Sequence, residues 1–243
     1  MNCYYFKDGS YAHNGAVWNL GVRDNMSTAF LTTLYSTLNY RKIFNDVHNL
    51  GVLAGYNQES AYYRSLGGSR TYFPTDNIKE LNGGSALDQS TSGTATEWAI
   101  QSLFGRITYD YQSKYLFEAN ARYDGTSRIA PDTRWGFFPS LSAGWRISQE
   151  PFMNNIAWLD NLKLRGSWGK LGNQNVGTYP YQDVLSTTSY PFDALESGVR
   201  LTRLVDKTLK WETTRIVDLG LDVSLKDGLV SLTADWYNKF TSD

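Results

Sequence analysis

The most constraining feature of this sequence is the alternation of side chains in Tyr115–Asp124, which reads Tyr-Leu-Phe-Glu-Ala-Asn-Ala-Arg-Tyr-Asp. Successive side chains of a β-strand point to opposite faces, so the segment predicts a strand with one apolar and one charged face. An antiparallel strand of a soluble protein with one solvated face gives the same alternation. The pattern recurs along the chain with aromatic residues near the strand ends, which is typical of a transmembrane β-barrel wall.

Composition is consistent with a barrel and excludes several other classes of protein. The 243 residues include 17 Tyr and 8 Trp, yet the mean hydropathy is −0.43. Apolar stretches end after a few residues, whereas a transmembrane helix needs about 18 or more in a row. The net charge of −1 lacks the basic footprint of nucleic-acid-binding proteins, so we expect no nucleic-acid partner. The single cysteine, Cys3, excludes an internal disulfide and a multi-cysteine metal site.

The alternation predicts an all-β, up-and-down antiparallel sheet of about eight strands. Residues up to about 27 read as a loop rich in Gly and Asn, and residues 149–160 as a short helical turn. Asp227-Gly228 between two alternating apolar runs is the strongest short hairpin signal in the chain. The predicted strands cover residues 28–42, 48–56, 98–111, 115–124, 134–148, 161–169, 217–225 and 230–236.

The predicted connections differ greatly in length. Two long loops, Ser65 to Glu97 and Lys170 to Lys210, alternate with short and medium turns. Outer-membrane barrels show this asymmetry, because their short turns face the periplasm and their long loops face outward. Eight strands are fewer than those of the wide barrels that hold a plug. We therefore expect an open, curved sheet that is part of the wall of a larger transmembrane barrel.

The cost of charge in lipid decides which face of the sheet would meet the membrane. An Arg or Lys on the lipid face at the bilayer midplane costs about 2–4 kcal/mol, and the charged face carries several of them, so it is predicted to face the lumen. We expect its side chains to form a network of ion pairs and hydrogen bonds. The predicted lumen network comprises Arg106, Glu118, Arg122, Arg146, Arg165, Asp218 and Asp222.

Aromatic residues in loops and at strand ends are candidates for substrate binding, because their rings could stack on sugar rings. The alternative is that they anchor the protein at the membrane interface or pack within loops, where amphipathic rings also serve. The candidates are Trp18, Tyr62, Tyr63, Tyr72, Trp98, Tyr179 and Tyr181.

The sequence predicts no catalytic residue, no cofactor and no metal site. A glycosidase needs two carboxylates about 5–10 Å apart, one with a raised pKa. The carboxylates of Glu118 and Asp124 instead alternate with arginines, which favours salt bridges. His13 and His48 are isolated and lack the spacing of zinc ligands.

Three motifs resemble the barrel of SusC/RagA-type TonB-dependent outer-membrane transporters. Asp124–Arg128 followed by Arg134–Ser148 is similar to the family pattern R-x-D-G-S-S-R-F and then R-W-G-x-F-P-S-x-S-A-G-W-R-I-S, with Thr126 and Ile129 as departures. Leu162–Gln174 is similar to L-K-L-R-x-S-Y-G-x-T-G-N-Q. A third match is Phe-Gly-Arg-Ile at residues 104–107, leading into Tyr-Asp-Tyr at residues 109–111. The resemblance extends over nearly the whole chain.

The resemblance implies more than the pattern itself. It implies that residues 1–243 are a partial barrel domain in the outer membrane of a Gram-negative bacterium. Family members have an N-terminal plug, are energised by TonB, usually pair with a SusD-like surface lipoprotein, and import oligosaccharides or peptides. The N-terminus, residues 1–9, lacks the features of a signal peptide. We therefore expect a barrel fragment, with the plug and the TonB-contacting segment upstream.

Two other interpretations remain open from the residues alone. A soluble carbohydrate-binding β-sandwich would use the same aromatic residues and would be soluble without detergent. A small, self-contained eight-stranded outer-membrane enzyme or adhesin would need an export signal, together with a nucleophile or a metal cluster.

Overall fold

The computed structural model describes residues 4–5, 11–12, 21–75, 77–191, 195–201, 205 and 208–242, most of which lie in β-strands. No helix in these ranges is long and apolar enough to cross a membrane. The helices are the short 3-10 segments Leu81–Gly83, Ile147–Gln149 and Pro151–Met153. The strands are β1 (Tyr4–Tyr5), β2 (Tyr11–Ala12), β3 (Gly21–Phe44), β4 (His48–Thr71), β5 (Gln89–Tyr111), β6 (Tyr115–Thr126), β7 (Trp135–Arg146), β8 (Leu159–Asn173), β9 (Leu185–Pro191), β10 (Leu195–Leu201), β11 (Glu212–Leu225) and β12 (Val230–Ser242).

Eight of these strands form one antiparallel sheet in the order β12-β11-β8-β7-β6-β5-β4-β3. Strands β1 and β2 pair with each other, as do β9 and β10. Neighbours in the large sheet are neighbours in the chain, except that the β9–β10 hairpin lies between β8 and β11. The sheet is open, with β3 and β12 as its end strands. The predicted eight-stranded, open, up-and-down sheet is confirmed, and the described strands show no second large sheet of the kind that a sandwich requires.

Three strands are much longer than the sequence pattern predicted. β3, β4 and β5 have 24, 24 and 23 residues, whereas a tilted strand crosses a bilayer with about 9–11. The prediction of a loop was therefore wrong for residues 21–27, because β3 begins at Gly21, and most of residues 1–20 lie outside the described residues. The predicted loop from Ser65 to Glu97 was also wrong, because only residues 72–88 separate β4 from β5. Polar residues and glycines are mixed with isolated apolar residues on both faces of these extensions, so no sustained alternation marks them.

The second predicted loop also contains structure. β8 extends to Asn173, and the β9–β10 hairpin lies within the stretch from Lys170 to Lys210 that was predicted to be a loop. The helical turn predicted for residues 149–160 corresponds to the 3-10 helix Pro151–Met153. That prediction is confirmed, but β7 ends at Arg146, two residues earlier than expected.

Short connections join β3 to β4, β5 to β6 and β11 to β12. Each carries consecutive non-glycine residues with positive φ, which fit the primed turns whose twist matches that of antiparallel strands. These residues are Asn45, Asp46, Gln112, Ser113, Lys226 and Asp227.

The strand register places the polar side chains on one face, named here the polar face. Glu118 on β6 pairs with Thr108 on β5 and with Ser142 on β7. Ser142 pairs with Ser167 on β8, which pairs with Asp218 on β11. Paired residues of adjacent strands share a face, so one row of polar side chains crosses five strands.

The opposite face is apolar and exposed, and is named here the apolar face. Phe117 pairs with Tyr109 and Ala143, and Leu219 pairs with Gly166 one strand beyond Ala143. Phe117 is 44% exposed and Leu219 is 53% exposed. A contiguous apolar surface of this kind marks an interaction site.

The chain divides into two compact units. One comprises residues 32–60 and 98–243, and the other comprises residues 1–31 and 61–97. The first has a small buried core of Ile129, Phe138 and Trp211, against which Ile100 and Val176 pack. In the second, the ring of Phe73 is buried.

Candidate functional site

The polar face carries its densest charge cluster around Arg165 on β8. The Arg165 guanidinium donates from Nε to Asp222 Oδ2 at 3.0 Å and from Nη2 to Asp222 Oδ1 at 3.2 Å. Its Nη2 also lies 2.7 Å from Asp235 Oδ1, and its Nη1 lies 4.0 Å from Asp218 Oδ1. Arg165 pairs in register with Gly220, whose missing side chain leaves room for the guanidinium. One arginine therefore links acidic residues of β11 and β12 to β8.

A second cluster lies on β5, β6 and β7. Arg106 Nε donates to Asn120 Oδ1 at 2.8 Å and lies 3.7 Å from Glu118 Oε1. Asn120 Nδ2 donates to Glu118 Oε1 at 2.8 Å and to Ser140 Oγ at 3.3 Å. The cluster neutralises Glu118 with hydrogen bonds as well as charge.

Arg122 forms a third cluster further along β6. Its guanidinium donates to both carboxylate oxygens of Asp124 at 3.2–3.3 Å and to Ser102 Oγ at 3.2 Å. It also lies over the ring of Phe104, 5.4 Å from the ring centre. The ring of Tyr35 stacks with Phe104 at 5.5 Å. Aromatic rings and charges therefore share this part of the polar face.

The residues predicted to form one lumen network share the polar face but form three separate clusters. Arg146 belongs to none of them, because its side chain makes no hydrogen bond or ion pair with the described residues. It pairs in register with Lys163, so two cations oppose each other on β7 and β8. The alternation along each strand predicted that these side chains share one face. Which of them form ion pairs depends on the register between neighbouring strands.

A hollow of about 510 Å³ lies on the polar face, in the unit formed by residues 32–60 and 98–243. Its lining includes charged side chains of both signs together with glycine and serine. Sites for small ligands typically have volumes of about 300–1,000 Å³. The lining includes Arg41, Gly51, Asp110, Leu116, Glu118, Ser142, Gly144, Lys163, Arg165, Ser167 and Asp218.

The buried core holds together segments that the sequence analysis did not connect. The rings of Phe138 and Trp211 meet edge to face at 5.1 Å, and Trp211 Nε1 donates to the Arg134 carbonyl at 2.7 Å. A side chain at Gly136 or Gly172 would overlap the Phe138 ring. The sequence analysis missed this core, although the adjacent Phe137 and Phe138 signal that one aromatic residue lies on each face.

Three of the candidate aromatic residues lie around residues 127–128 in the loop after β6. Arg128 lies over the ring of Trp98 on β5, 5.1 Å from the ring centre. Tyr181 donates to the Ser127 carbonyl at 3.4 Å, and the ring of Tyr179 lies 6.1 Å from that of Tyr181. These contacts are those expected of loop packing.

The other candidate aromatic residues lie elsewhere in the chain. Tyr62 and Tyr63, predicted to lie in a loop or at a strand end, lie within β4. Tyr72 directly follows β4 and is 56% exposed. Trp18 lies outside the described residues.

A further polar cluster, which the sequence analysis missed, lies where the connection after β7 meets the start of β6. The Glu150 carboxylate accepts hydrogen bonds from Tyr115 Oη at 2.6 Å and Trp145 Nε1 at 3.1 Å, and Lys114 Nζ lies 3.7 Å away. These donors, with Tyr115 the largest contributor, lower the pKa of Glu150 below its ordinary value. Glu150 thereby links the connection between β7 and β8 to the start of β6 and the end of β7.

In the part of the chain that the structure describes, no three His, Cys, Asp or Glu side chains are grouped so as to hold a metal ion. The three carboxylates around Arg165 converge on its guanidinium.

Comparison with known proteins assigns the family. The family described as "TonB dependent receptor-like, beta-barrel" matches residues 2–243. The chain is 34% identical over 222 residues to TonB-dependent receptor P39 of Formosa agariphila, covering 91% of this chain and 21% of that protein. It is 31% identical over 227 residues to TonB-dependent receptor SusC of Bacteroides thetaiotaomicron, covering 84% of this chain and 23% of SusC.

Solved structures support the same fold. The RagAB peptide transporter structure superposes with a TM-score of 0.83 at 24% identity, covering 90% of this chain and 24% of the matched chain. The chain thus spans about a fifth to a quarter of the length of the proteins it matches. The chain belongs to the TonB-dependent receptor β-barrel family of the outer membrane of Gram-negative bacteria.

Proposed function

We propose that this chain forms part of the barrel wall of a SusC/RagA-type TonB-dependent transporter that imports glycans or peptides. The observation that carries the proposal is the eight-stranded up-and-down sheet, with one exposed apolar face and one polar face, in a chain that matches the family over residues 2–243. The likeness to SusC and to the RagAB fold supports it.

The two faces have different roles in this proposal. The apolar face contacts lipid, and the polar face lines the lumen, where the ion-pair clusters hold neighbouring strands together. A strand in lipid must have all of its backbone groups paired, yet β3 and β12 are end strands of the described sheet. Further strands of a complete barrel would therefore pair with both. Because the chain belongs to the TonB-dependent receptor family, we infer that the complete barrel holds a plug and is energised by TonB.

The longer connections would lie on the outer side of the membrane. The two longest connections follow β4 and β8, at the opposite end of the strands from the short connections that follow β3, β5 and β11. Outer-membrane barrels keep their longer loops outside. We infer that a SusD-like lipoprotein docks there, and that exposed Tyr72 is the aromatic candidate best placed to contact substrate.

Transport can be tested with the complete protein in a Gram-negative host. Cells would be supplied with fluorescent pools of oligosaccharides and of peptides, and uptake would be compared with and without TonB. We expect TonB-dependent uptake of one pool, which also assigns the substrate class. Uptake of neither pool, or uptake that persists without TonB, would refute the proposal.

We also infer that the chain is not an enzyme. Glu118 lies 3.7 Å from Arg106 and accepts a hydrogen bond from Asn120, so its carboxylate is engaged within the sheet. Glycosidase assays on a broad glycan panel should stay at background, and turnover that Glu118→Gln abolishes would contradict this inference.

A further inference from the structure

Two basic side chains lie on the apolar face, far from the short turn that joins β11 to β12. Lys170 of β8 pairs in register with Arg215 of β11, and Arg215 pairs on its other side with Phe240 of β12. Val217, two residues from Arg215 and therefore on the same face, is 39% exposed, and Arg215 itself is exposed. On β8 and β11 the apolar face therefore ends in a pair of cations.

These cations lie at the outer edge of the apolar band. From the turn outward, five apolar residues follow one another on this face of β11: Leu225, Val223, Leu221, Leu219 and Val217. Arg215 is the next residue on that face, ten residues from Leu225. At about 3.3 Å per residue this is about 33 Å along the strand, or about 25 Å along the membrane normal at a tilt of about 40°. The apolar band of an outer-membrane barrel is about 25 Å tall, so Arg215 lies at the level of lipid headgroups.

Neither cation has an anionic partner in the part of the chain that the structure describes. The Lys170 and Arg215 side chains form no ion pair and no hydrogen bond with a described residue. The residues two positions away from the Lys170–Arg215–Phe240 row are all uncharged: Trp168, Gly172, Thr213, Val217, Asn238 and Ser242. Like charges directly opposite each other destabilise a sheet, so the Lys170–Arg215 pair is unfavourable unless an anion bridges it.

A phosphate group matches the chemistry of this pair. Arginine donates to phosphate through two parallel hydrogen bonds, and lysine binds it as a point charge. One step outward on the same face, the hydroxyl oxygens of Thr213 and Ser242 lie 3.3 Å apart and offer further donors. One step inward, the exposed ring of Trp168 is of the amphipathic kind that lies at a membrane interface. Charge, hydroxyls and an aromatic ring thus follow one another as they would against a lipid headgroup.

We propose that Lys170 and Arg215 bind a phosphate group of the lipid in the outer leaflet, which in a Gram-negative outer membrane is a phosphorylated glycolipid. The inference rests on the proposed function, since only a membrane-spanning wall with its short connections inside brings this pair to that leaflet. Charge complementarity specifies the occupant, because two unpaired cations at headgroup level require an anion. The bound phosphate would also offset the repulsion between β8 and β11.

Lipid titration of the complete protein, purified in detergent, tests this proposal. Native mass spectrometry measures the Kd of diphosphoryl lipid A and of the same lipid with both phosphates removed. We expect the diphosphoryl form to bind more tightly. Lys170→Gln and Arg215→Gln should each weaken its binding about fivefold, and the double variant about 30-fold, as expected for basic residues near an anionic lipid surface. Lys239→Gln is the matched control and should bind like wild type, because Lys239 adjoins Phe240 but lies on the polar face.

Three results would overturn the proposal. Equal binding of the dephosphorylated lipid would show that acyl chains alone hold it. An affinity of the double variant equal to that of wild type or of Lys239→Gln would show that the two cations do not contribute. Displacement of the lipid by an equimolar amount of inorganic phosphate would assign the pair to a free anion.

Membrane fractionation and heat-modifiable gel mobility of each variant report barrel assembly separately. Wild-type protein that does not fractionate with the outer membrane would overturn the proposed function, and this inference with it. Protein that assembles normally but binds lipid independently of phosphate would overturn this inference alone.

Discussion

Substitution of Ala119 by arginine is the most direct test of which face of the sheet meets lipid. Ala119 lies on the apolar face of β6 and pairs with Ile107 and Leu141. It is four residues from each of the two aromatic residues that bracket it on that face, Tyr115 and Tyr123. At about 3.3 Å per residue this is about 13 Å along the strand in each direction, or about 10 Å along the membrane normal at a tilt of about 40°.

That position places Ala119 near the middle of an apolar band about 25 Å tall. Arginine there should cost the full midplane penalty of about 2–4 kcal/mol, which lowers the folding equilibrium constant by about 30- to 700-fold. Ser140→Arg is the matched control. Ser140 pairs with Asn120 on the polar face of the adjacent strand, so arginine at that position would point into the lumen and should lose only the weak contact from Asn120.

The measurement is folding of the complete protein into phosphatidylcholine vesicles across a denaturant series, with the folded fraction read from heat-modifiable gel mobility. Ala119→Arg should shift the midpoint strongly, and Ser140→Arg should shift it little. Equal shifts, or a larger shift for Ser140→Arg, would refute the assignment of the apolar face to lipid.

The remaining predictions concern the core, the cluster after β7 and the charge cluster of β8. Phe138→Ala should lower the local free energy of unfolding by about 3–5 kcal/mol because it empties a buried site. Limited proteolysis should then cut residues 127–134 faster, whereas Phe137→Ala on the apolar face should leave that cleavage rate unchanged. Glu150 has a pKa lowered from its ordinary value of 4.5, so its stabilising effect is present above pH 4.5 and is lost as the pH falls through the lowered pKa. In thermal melts, Glu150→Gln should therefore be less stable than wild type at neutral pH, and the difference in melting temperature should shrink in acid. Arg165→Gln should lower the melting temperature because it leaves carboxylates of β11 and β12 facing each other unpaired, and a melting temperature equal to that of wild type would contradict the role of this cluster.

Strands with one clearly apolar face were predicted from the sequence, and strand segments without such a face were missed. The turn of the β11–β12 hairpin and the strand ends beside it were predicted correctly, because apolar residues alternate on both sides of Asp227-Gly228, whereas the outer ends of the two strands extend five and six residues further. The outer parts of β3, β4 and β5 were missed, because residues such as Asn57 and Glu59 leave no apolar face to detect. Backbone hydrogen bonds with neighbouring strands form those parts, and single-strand periodicity does not report them.

The candidate site was predicted to a similar extent. Parity along each strand predicted that Arg106, Glu118 and Arg165 share a face, because each stands among polar residues of the same parity. It did not predict that Asp235 would join Arg165, since that contact depends on how β8, β11 and β12 align. The contact of Phe138 with Trp211 joins residues far apart in the chain, and no periodic pattern brings them together.

The packing of Phe138 against Gly136 and Gly172 has a consequence for how this protein family can change over evolutionary time. The benzyl ring occupies the space that a side chain at either glycine would need. A relative that acquires alanine at position 136 or 172 must therefore carry a smaller residue at position 138, and one that keeps phenylalanine must keep both glycines. The three positions should covary as a set across the barrel sequences, although position 172 lies on a different strand from the other two.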